Sequence, residues 1–178
     1  SKFYTEFIIE EDANLALEHV LNYPNPFTTN TGFYFEQNQI MHSNIDVLIQ
    51  MLSTIKTIDD KPLDIALTTN ASLLFKKAQV LKDAGLNRVT VSLDSLDETT
   101  FCAMNDVDYS VAEVLKGIEA AHKVGFKSIK INMVVQKGVN DKDVVAMARH
   151  FKGSGHIVRF IEFMDVGSSN GWCMDDVV

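Results

Sequence analysis

Cysteine, proline and clustered basic residues are all scarce in this chain of 178 residues. Its only cysteines, Cys102 and Cys173, lie too far apart in sequence to form a local metal or redox motif, and they do not make a disulfide framework. We therefore expect a reducing cytoplasm as its location. No apolar run approaches the roughly 20 residues of a membrane helix, no secretory signal pattern opens the sequence, and no Lys/Arg cluster suggests a nucleic-acid surface. These absences predict a globular protein that binds neither membranes nor nucleic acids.

The first third of the chain differs from the rest in charge. Residues 1–60 hold two lysines against nine acidic residues, whereas residues 61–178 hold fourteen basic against fifteen acidic residues. Pro24 and Pro26 exclude a helix from the turn-rich segment around them, Gly32–Glu36 is typical of a strand, and residues 45–51 fit either a strand or a short helix. We predict a β-rich domain over residues 1–61 and a second domain over residues 62–178.

The second part alternates strands with helices. Four strands are predicted, over Ile65–Asn70, Arg88–Asp94, Ser128–Val135 and His156–Met164. Three helices are predicted between them, over Ser72–Ala84, Ser110–Val124 and Asp141–Phe151. The same helix-glycine-strand joint occurs at Gly85 and at Gly125. This alternation predicts an α/β fold with a parallel sheet.

Polar side chains stand two residues apart near the end of each predicted strand. The pairs that share a strand face are Thr68 with Asn70, Ser92 with Asp94, Lys130 with Asn132, and Glu162 with Met164. A strand that is buried on both faces should instead be continuously apolar. Because ligands bind at the carboxyl ends of strands in folds of this kind, the pattern predicts a binding site there.

Each of these residues also has an ordinary structural interpretation. Asn70 or Ser72 could cap the first predicted helix, Ser110 the second and Asn140 the third. Asp97 is also interpreted as a cap. Met164 could simply fill the core. Lys130 is harder to explain because an ammonium group within an apolar strand is costly without a partner, which could be Asp94 or a phosphate or purine ligand. Arg159 and Glu162 fall on opposite faces of their strand, and the five histidines show no ligand spacing.

Several consecutive motifs resemble the GTP 3′,8-cyclases of molybdenum cofactor biosynthesis, a family of radical S-adenosylmethionine enzymes. The resemblance covers residues 63–178 and is carried by Leu-Thr-Thr-Asn-Ala-Ser-Leu-Leu (67–74), Ala-Gly-Leu-Asn-Arg-Val-Thr-Val-Ser-Leu-Asp-Ser-Leu-Asp (84–97), Ile-Lys-Ile-Asn-Met-Val-Val (129–135), Gly-Val-Asn-Asp (138–141) and Arg-Phe-Ile-Glu-Phe-Met-Asp-Val-Gly (159–167). The order and spacing of these motifs make the resemblance specific.

The resemblance implies a partial strand-helix barrel that holds S-adenosylmethionine, iron-sulfur ([4Fe–4S]) clusters and GTP. By position, Thr68 and Lys130 are expected to contact GTP, and Ser92 and Met164 are expected to contact S-adenosylmethionine. The implied chemistry is reductive cleavage of S-adenosylmethionine to a 5′-deoxyadenosyl radical, which abstracts the C3′ hydrogen of GTP. The cofactor performs this chemistry while the protein positions it.

The chain departs from the family in its cluster motifs. The Cys-x3-Cys-x2-Cys motif expected before residue 60 is absent, as is the family's Gly-Gly-Glu-Pro segment, and Ala71 replaces the usual glycine after Thr-Thr-Asn. Without thiolate ligands no cluster can form to cleave the cofactor. The resemblance therefore implies a fragment that is inactive by itself, in which no metal ligand or catalytic residue is assigned.

Residues 17–36 carry a second resemblance, through Tyr-Pro-Asn-Pro-Phe (23–27), to the immunoglobulin-like C-terminal region of PorU-like sortases of type IX secretion. It favours the strand interpretation of residues 45–51. Two alternatives to the cyclase fragment follow: a secreted, non-enzymatic β-domain fragment with an α/β passenger, or a remnant that retains nucleotide binding. An incomplete barrel also leaves open sheet edges, so self-association is expected.

Overall fold

A computed structural model describes residues 20–24, 31–35, 45–56, 60–105, 109–164 and 172–178, the first two ranges by their backbone alone. The chain divides into two compact units, Ser1–Asp46 and Val47–Val178. In the first, strands β1 (Val20–Pro24) and β2 (Thr31–Phe35) pair antiparallel, with Val20 opposite Phe35 and Pro24 opposite Thr31. The predicted strand is confirmed over residues 32–35, and Glu36 lies outside the described residues. The proposed domain boundary at residue 61 stays a prediction.

The second unit is built from strands joined by helices. Its elements are α1 (Ile45–Ser53), β3 (Ala66–Thr69), α2 (Leu74–Asp83), β4 (Arg88–Ser92), α3 (Glu98–Asn105), α4 (Val111–Lys123), β5 (Lys130–Val135), α5 (Val144–Phe151) and β6 (Ile157–Glu162). The first two residues of α1 precede the boundary of this unit at Val47. Short 3-10 turns cover Asp141–Asp143 and Met174–Asp176. All four predicted strands and all three predicted helices are present.

The strands β3 to β6 form one parallel sheet in the order β3-β4-β5-β6. Each new strand is added beside the previous one, as in a strand-helix barrel, and the described sheet is open rather than closed. The predicted α/β class with parallel strands is confirmed, and the architecture is that of a partial barrel.

The core lies on the helix-covered face of this sheet. Val91, Ile131 and Met133 are each 0% exposed, and Val89 is 1% exposed. Buried residues of the helices complete the core: Leu74, Ala78, Leu81, Val114, Ile118, Ala121, Met147 and Phe151. These apolar residues recur at helical spacing in α2 and α4, which explains why their periodicity predicted the two helices.

The two repeated joints use the same hydrogen bonds. After α2, the backbone N–H groups of Gly85 and Leu86 donate to Lys82 O at 3.1 Å and Leu81 O at 3.0 Å. After α4, those of Gly125 and Phe126 donate to His122 O at 3.0 Å and Ala121 O at 3.1 Å. Each glycine has a φ near +100°. The repeated helix-glycine-strand joint is confirmed, and at both places the glycine takes the positive φ that ends many helices.

Three elements differ from the prediction, and the first is β1, an unpredicted strand that ends at Pro24 in the segment expected to be turn-rich. Residues 45–53 form a helix, so the strand interpretation of residues 45–51 is wrong. Ile49 is buried, and an amphipathic helix satisfies its backbone locally without a neighbouring strand. Helix α3 was not predicted, because only Thr100 and Phe101 of its residues are buried and its apolar periodicity is weak.

Candidate ligand-binding site

One face of the sheet is polar, and the strand register shows which residues share it. Thr68 of β3 pairs with Thr90 of β4, and Thr90 pairs with Lys130 of β5. The next row toward the carboxyl ends joins Ser92 of β4 and Asn132 of β5 to Arg159 of β6. Because adjacent strands lie about 4.8 Å apart, each row places its side chains next to one another. We call these six residues the polar face.

Three of the four expected ligand contacts lie on this polar face. Thr68 is exposed, whereas Ser92 and Lys130 are half-buried. Met164 lies two residues beyond the end of β6 and is 56% exposed. The structure therefore brings Thr68, Ser92 and Lys130 together, and it places Met164 at the carboxyl end of the neighbouring strand. Their ligand contacts remain predictions.

Lys130 has no anionic partner among the described residues. Its side chain forms no ion pair or hydrogen bond with them. The Asp94 carboxylate instead accepts a hydrogen bond from the backbone N–H of Val134 at 2.8 Å. Val134 lies four residues along β5 from Lys130, about 13 Å at the usual rise of a strand. The alternative that Asp94 neutralises Lys130 is therefore wrong, and no other carboxylate in the described ranges takes its place.

Arg159 belongs to the polar face although the sequence did not indicate it. Its Nε donates to Asn132 Oδ1 at 2.9 Å, across the pairing of β5 with β6. The register pairs Glu162 with Val135 on the helix-covered face, so the prediction that Arg159 and Glu162 face opposite ways is confirmed. Alternation within one strand does not reveal which strand lies beside it, so Arg159 could be found only from the register.

The turn after β3 is organised by side chains rather than by a helix cap. Asn70 Oδ1 accepts hydrogen bonds from the backbone N–H of Ser72 at 3.2 Å and from its hydroxyl at 2.9 Å. Helix α2 begins later, at Leu74, and its N-cap residue Leu73 makes no side-chain cap. The interpretation of Asn70 or Ser72 as the helix cap is therefore wrong, because the chain first makes a turn closed by the Asn70 side chain.

The other predicted caps are largely confirmed. The Ser110 hydroxyl accepts a hydrogen bond from the backbone N–H of Glu113 at 3.2 Å. The Glu113 carboxylate accepts one from the backbone N–H of Ser110 at 2.9 Å, which completes a capping box. Asp97 caps α3 through the backbone N–H of Thr100 at 2.9 Å. Asn140 occupies the N-cap position of the turn Asp141–Asp143, but its side chain makes no cap hydrogen bond.

Two titratable groups, Asp94 and Tyr109, lie half-buried near the carboxyl ends of β3 and β4. Burial raises the pKa of the Asp94 carboxyl, although hydrogen bonds from the Val134 backbone and the Asn105 side chain oppose the rise. Burial likewise raises the pKa of the Tyr109 phenol. A hydrogen bond with the Asn70 side chain lowers this pKa, and the negative charge of Asp94 raises it further. Sequence reasoning missed Tyr109, which follows α3 and carries no motif.

The donor set of this chain does not fit an iron-sulfur cluster. Such a cluster takes three or four thiolates, whereas the sequence holds two cysteines, both exposed. No group of three or more His, Cys, Asp or Glu side chains within the described ranges is arranged to hold a metal ion. In those same ranges, no helix is long and apolar enough to span a membrane.

The fold and the polar face define a strand-helix protein with a candidate ligand site on one face of its parallel sheet. Thr68 and Ser92 lie near the carboxyl ends of β3 and β4, whereas Lys130 lies at the start of β5, not near its end as the sequence predicted. The family model described as the Radical SAM superfamily matches residues 6–151. The chain belongs to the radical SAM superfamily. The match includes residues 17–36, which carry the resemblance to PorU-like sortases, and the comparisons give that second resemblance no support.

Curated relatives are similar over 139 residues, or 78% of this chain. GTP 3′,8-cyclases of Xanthomonas campestris pv. campestris and Acidothermus cellulolyticus are each 48% identical, and the match covers 40% and 37% of those proteins. The GTP 3′,8-cyclase of Staphylococcus aureus is 44% identical, with 39% of it covered. The chain thus spans about 40% of the length of the curated relatives it matches.

A solved structure supports the architecture. The crystal structure of HydG, a maturase of the [FeFe]-hydrogenase, matches with a TM-score of 0.53 and 13% identity, over 76% of this chain and 32% of the other. At this identity the likeness concerns the fold alone. Together with the family match, it shows that the open α/β sheet is a partial radical SAM barrel.

Proposed function

We propose that this chain is a piece of a GTP 3′,8-cyclase of molybdenum cofactor biosynthesis and that its polar face is the floor of a groove for GTP and S-adenosylmethionine. The observation that carries the proposal is the half-buried Lys130 ammonium, which has no anionic partner among the described residues. A cation held within a sheet in this way is stabilised by a bound anion, and the triphosphate of GTP is one. Thr68 adds a hydroxyl on the same row.

S-adenosylmethionine is assigned to the second row of the polar face, which consists of Ser92, Asn132 and Arg159. The Ser92 hydroxyl and the Asn132 amide can make hydrogen bonds to its polar groups, and the terminal nitrogens of Arg159 suit its carboxylate because a guanidinium group binds carboxylates in two-pronged geometry. Met164 would lie at the rim of this site. We place the chain in the cytoplasm, where its two free cysteines would remain reduced.

No radical step is assigned to this chain alone. When a cluster is bound, it supplies the electron that cleaves S-adenosylmethionine, and the thiolates for it are not among the residues of this chain. The residues present can bind and orient the nucleotide and the cofactor. This same observation favours a second candidate function, a remnant that binds nucleotide without turnover.

GTP titration by isothermal calorimetry tests the proposal. We expect the wild-type chain to bind GTP, and Lys130→Ala to weaken binding by about ten-fold or more, because a charge-assisted contact contributes roughly 1.5–3 kcal/mol. Lys127→Ala is the matched control: Lys127 is an exposed lysine in the turn before the same strand, and its removal should leave affinity unchanged. Equal affinities of the wild type and Lys130→Ala would remove Lys130 from the site.

A further inference from the structure

The pairing of β4 with β5 continues past the end of the strand ladder. The last paired row is Ser92 with Asn132, and the backbone N–H of Leu93 makes one more hydrogen bond, to Asn132 O at 2.9 Å. Beyond that point, side chains join the two segments. The residues that supply them are Asp94, Ser95, Asn140 and Asp143, which we call the β4–β5 clasp.

Asn140 is the centre of the clasp and is 0% exposed. Its Nδ2 donates to Asp94 O at 2.7 Å and to Val134 O at 2.8 Å, one carbonyl from each segment. Its Oδ1 accepts a hydrogen bond from the backbone N–H of Gln136 at 2.8 Å. One amide side chain therefore satisfies three backbone groups and links the ends of both strands.

The rest of the clasp strengthens the same junction. Asp94 Oδ1 accepts from the backbone N–H of Val134 at 2.8 Å, in the place where the next ladder bond would lie. Ser95, which is 0% exposed, donates from its hydroxyl to Asp143 Oδ2 at 2.7 Å. These bonds connect the end of β4 both to β5 and to the turn before α5.

The chemistry of Asn140 is specific to a carboxamide. Its site needs two donors and one acceptor, and among side chains of this size only asparagine supplies two donors together with an acceptor. An aspartate would turn acceptor oxygens toward the two carbonyls and would leave both without their donor. Since buried polar groups are costly when unpaired, such a change should separate the two strand ends.

We propose that Asn140 is a positioning residue of the candidate site: by holding Asp94 O and Val134 O together, it fixes the spacing of β4 and β5 where Ser92 and Asn132 lie. Asp94 and Val134 are each two residues beyond that row, about 6.6 Å along the strands. Asn140 does not itself contact the ligand. Its role rests on the proposed function, because the row it fixes is the one assigned to S-adenosylmethionine.

The test compares Asn140→Asp with wild type in the full 178-residue chain by nuclear magnetic resonance. We expect the amide signals of Ser92 and Asn132 to move, and the amides of Val134 and Gln136 to exchange faster with solvent, while the protected amides of Val89 and Ile131 are unchanged. Asn87→Asp is the matched control. Asn87 lies just before the other end of β4. Its Oδ1 accepts a hydrogen bond from the backbone N–H of Ile65 at 2.7 Å, and an aspartate oxygen can accept the same bond.

Titration with S-adenosylmethionine completes the test. If the wild-type chain binds it, Asn140→Asp should bind at least about ten-fold more weakly, and Asn87→Asp should bind as wild type does. If the wild-type chain does not bind it, the proposed function fails, while the positions of the Ser92 and Asn132 signals still decide the role of Asn140. Unchanged Ser92 and Asn132 signals, or a uniform loss of protection across the sheet, would overturn the proposal.

A milder variant guards against simple unfolding. Asn140→Ser keeps one donor and adds no charge, so it should displace the same signals by a smaller amount. If Asn140→Asp does not fold, Asn140→Ser decides the question by the same criterion.

Discussion

Ala71 holds a backbone conformation that residues other than glycine rarely adopt. Its φ is +63°, and its side chain is 0% exposed between β3 and α2. A left-handed conformation costs a residue with a Cβ about 1–2 kcal/mol. This strain lies one residue after Asn70, in the turn that carries the Thr-Thr-Asn motif onto the polar face.

Ala71→Gly should therefore be neutral or stabilising. Relief of the strain exceeds the extra chain entropy of glycine, and it offsets the loss of one buried methyl group, so we expect the free energy of unfolding to rise by up to about 1 kcal/mol. The same exchange at Ala121, which is also 0% exposed but helical, should destabilise the protein by about 1–2 kcal/mol. Urea unfolding measures both, and equal destabilisation would show that Ala71 is unstrained.

Asp94 should make stability depend on pH. Because burial raises the pKa of its carboxyl above the ordinary value of 3.8, the folded state binds this proton more tightly than the unfolded state does. The contribution of Asp94 to stability is therefore greatest below pH 3.8 and declines as the pH rises through the raised pKa. Asp94→Asn keeps an oxygen for the Val134 N–H and removes the ionisation. The difference in unfolding free energy between variant and wild type should grow with pH over this window; a constant difference would contradict the assignment.

Helices α2 and α4 approach closely at a glycine. A Cβ built on Gly117 would lie 2.8 Å from Ala71 O and 3.2 Å from Leu74 Cβ. Gly→Ala in a helix normally stabilises by about 1 kcal/mol through helix propensity. Here we expect Gly117→Ala to destabilise by about 1–3 kcal/mol, because α4 must move away from the turn after β3. Thermal unfolding shows whether Gly117→Ala lowers or raises stability. A stabilised variant would mean that the two helices can move apart at no cost.

The elements of the second unit could be predicted largely from sequence because two local signals coincide there. Apolar residues recur at helical spacing in α2 and α4, and both helices end in the same glycine joint, at Gly85 and Gly125. Where the signals are weak, prediction failed. Helix α3 buries few apolar side chains, and in residues 45–51 the apolar run suited strand and helix equally.

The candidate site was predicted only in part. Alternation correctly placed Lys130 and Asn132 on one face of β5, since it depends on one strand at a time. The contact of Arg159 with Asn132 depends on the register between strands, and the packing of Tyr109 near Asp94 depends on a loop. Neither relationship is encoded in local spacing. The sequence also suggested that Asp94 and Lys130 form an ion pair, because their charges are opposite. The distance between them along the strands excludes it.

The described sheet has two strands that each pair on one side only, β3 and β6. Along β6, Ile157 and Phe160 are 47% and 44% exposed. A parallel edge strand with exposed apolar side chains is a template for pairing with another chain. We therefore expect self-association that rises with protein concentration in light scattering.

A charged residue on this edge should reduce the association. We expect Phe160→Lys to shift the chain toward the monomer, because an edge lysine opposes strand addition. Val145→Lys is the matched control: Val145 is a comparably exposed apolar residue, 55% exposed, but it lies on helix α5. If both variants lower association equally, general surface charge is responsible, and a monodisperse monomeric wild type would contradict the expectation altogether.

The capacity to hold a cluster is a property of the whole chain, and its thiols can be counted. Cys102 lies on α3, and Cys173 precedes the last 3-10 turn; each thiol has a carboxylate neighbour, Glu98 or Asp176, rather than a second thiol. We expect anaerobic incubation with iron and sulfide, followed by desalting, to leave no cluster absorption in the visible spectrum, because two separate thiolates do not complete a site. A double variant, Cys102→Ser with Cys173→Ser, should retain the same residual iron as wild type. Stoichiometric iron and sulfide that wild type keeps and the double variant loses would show that these cysteines ligate a cluster, and the chain would then carry a reactive centre as well as the groove floor.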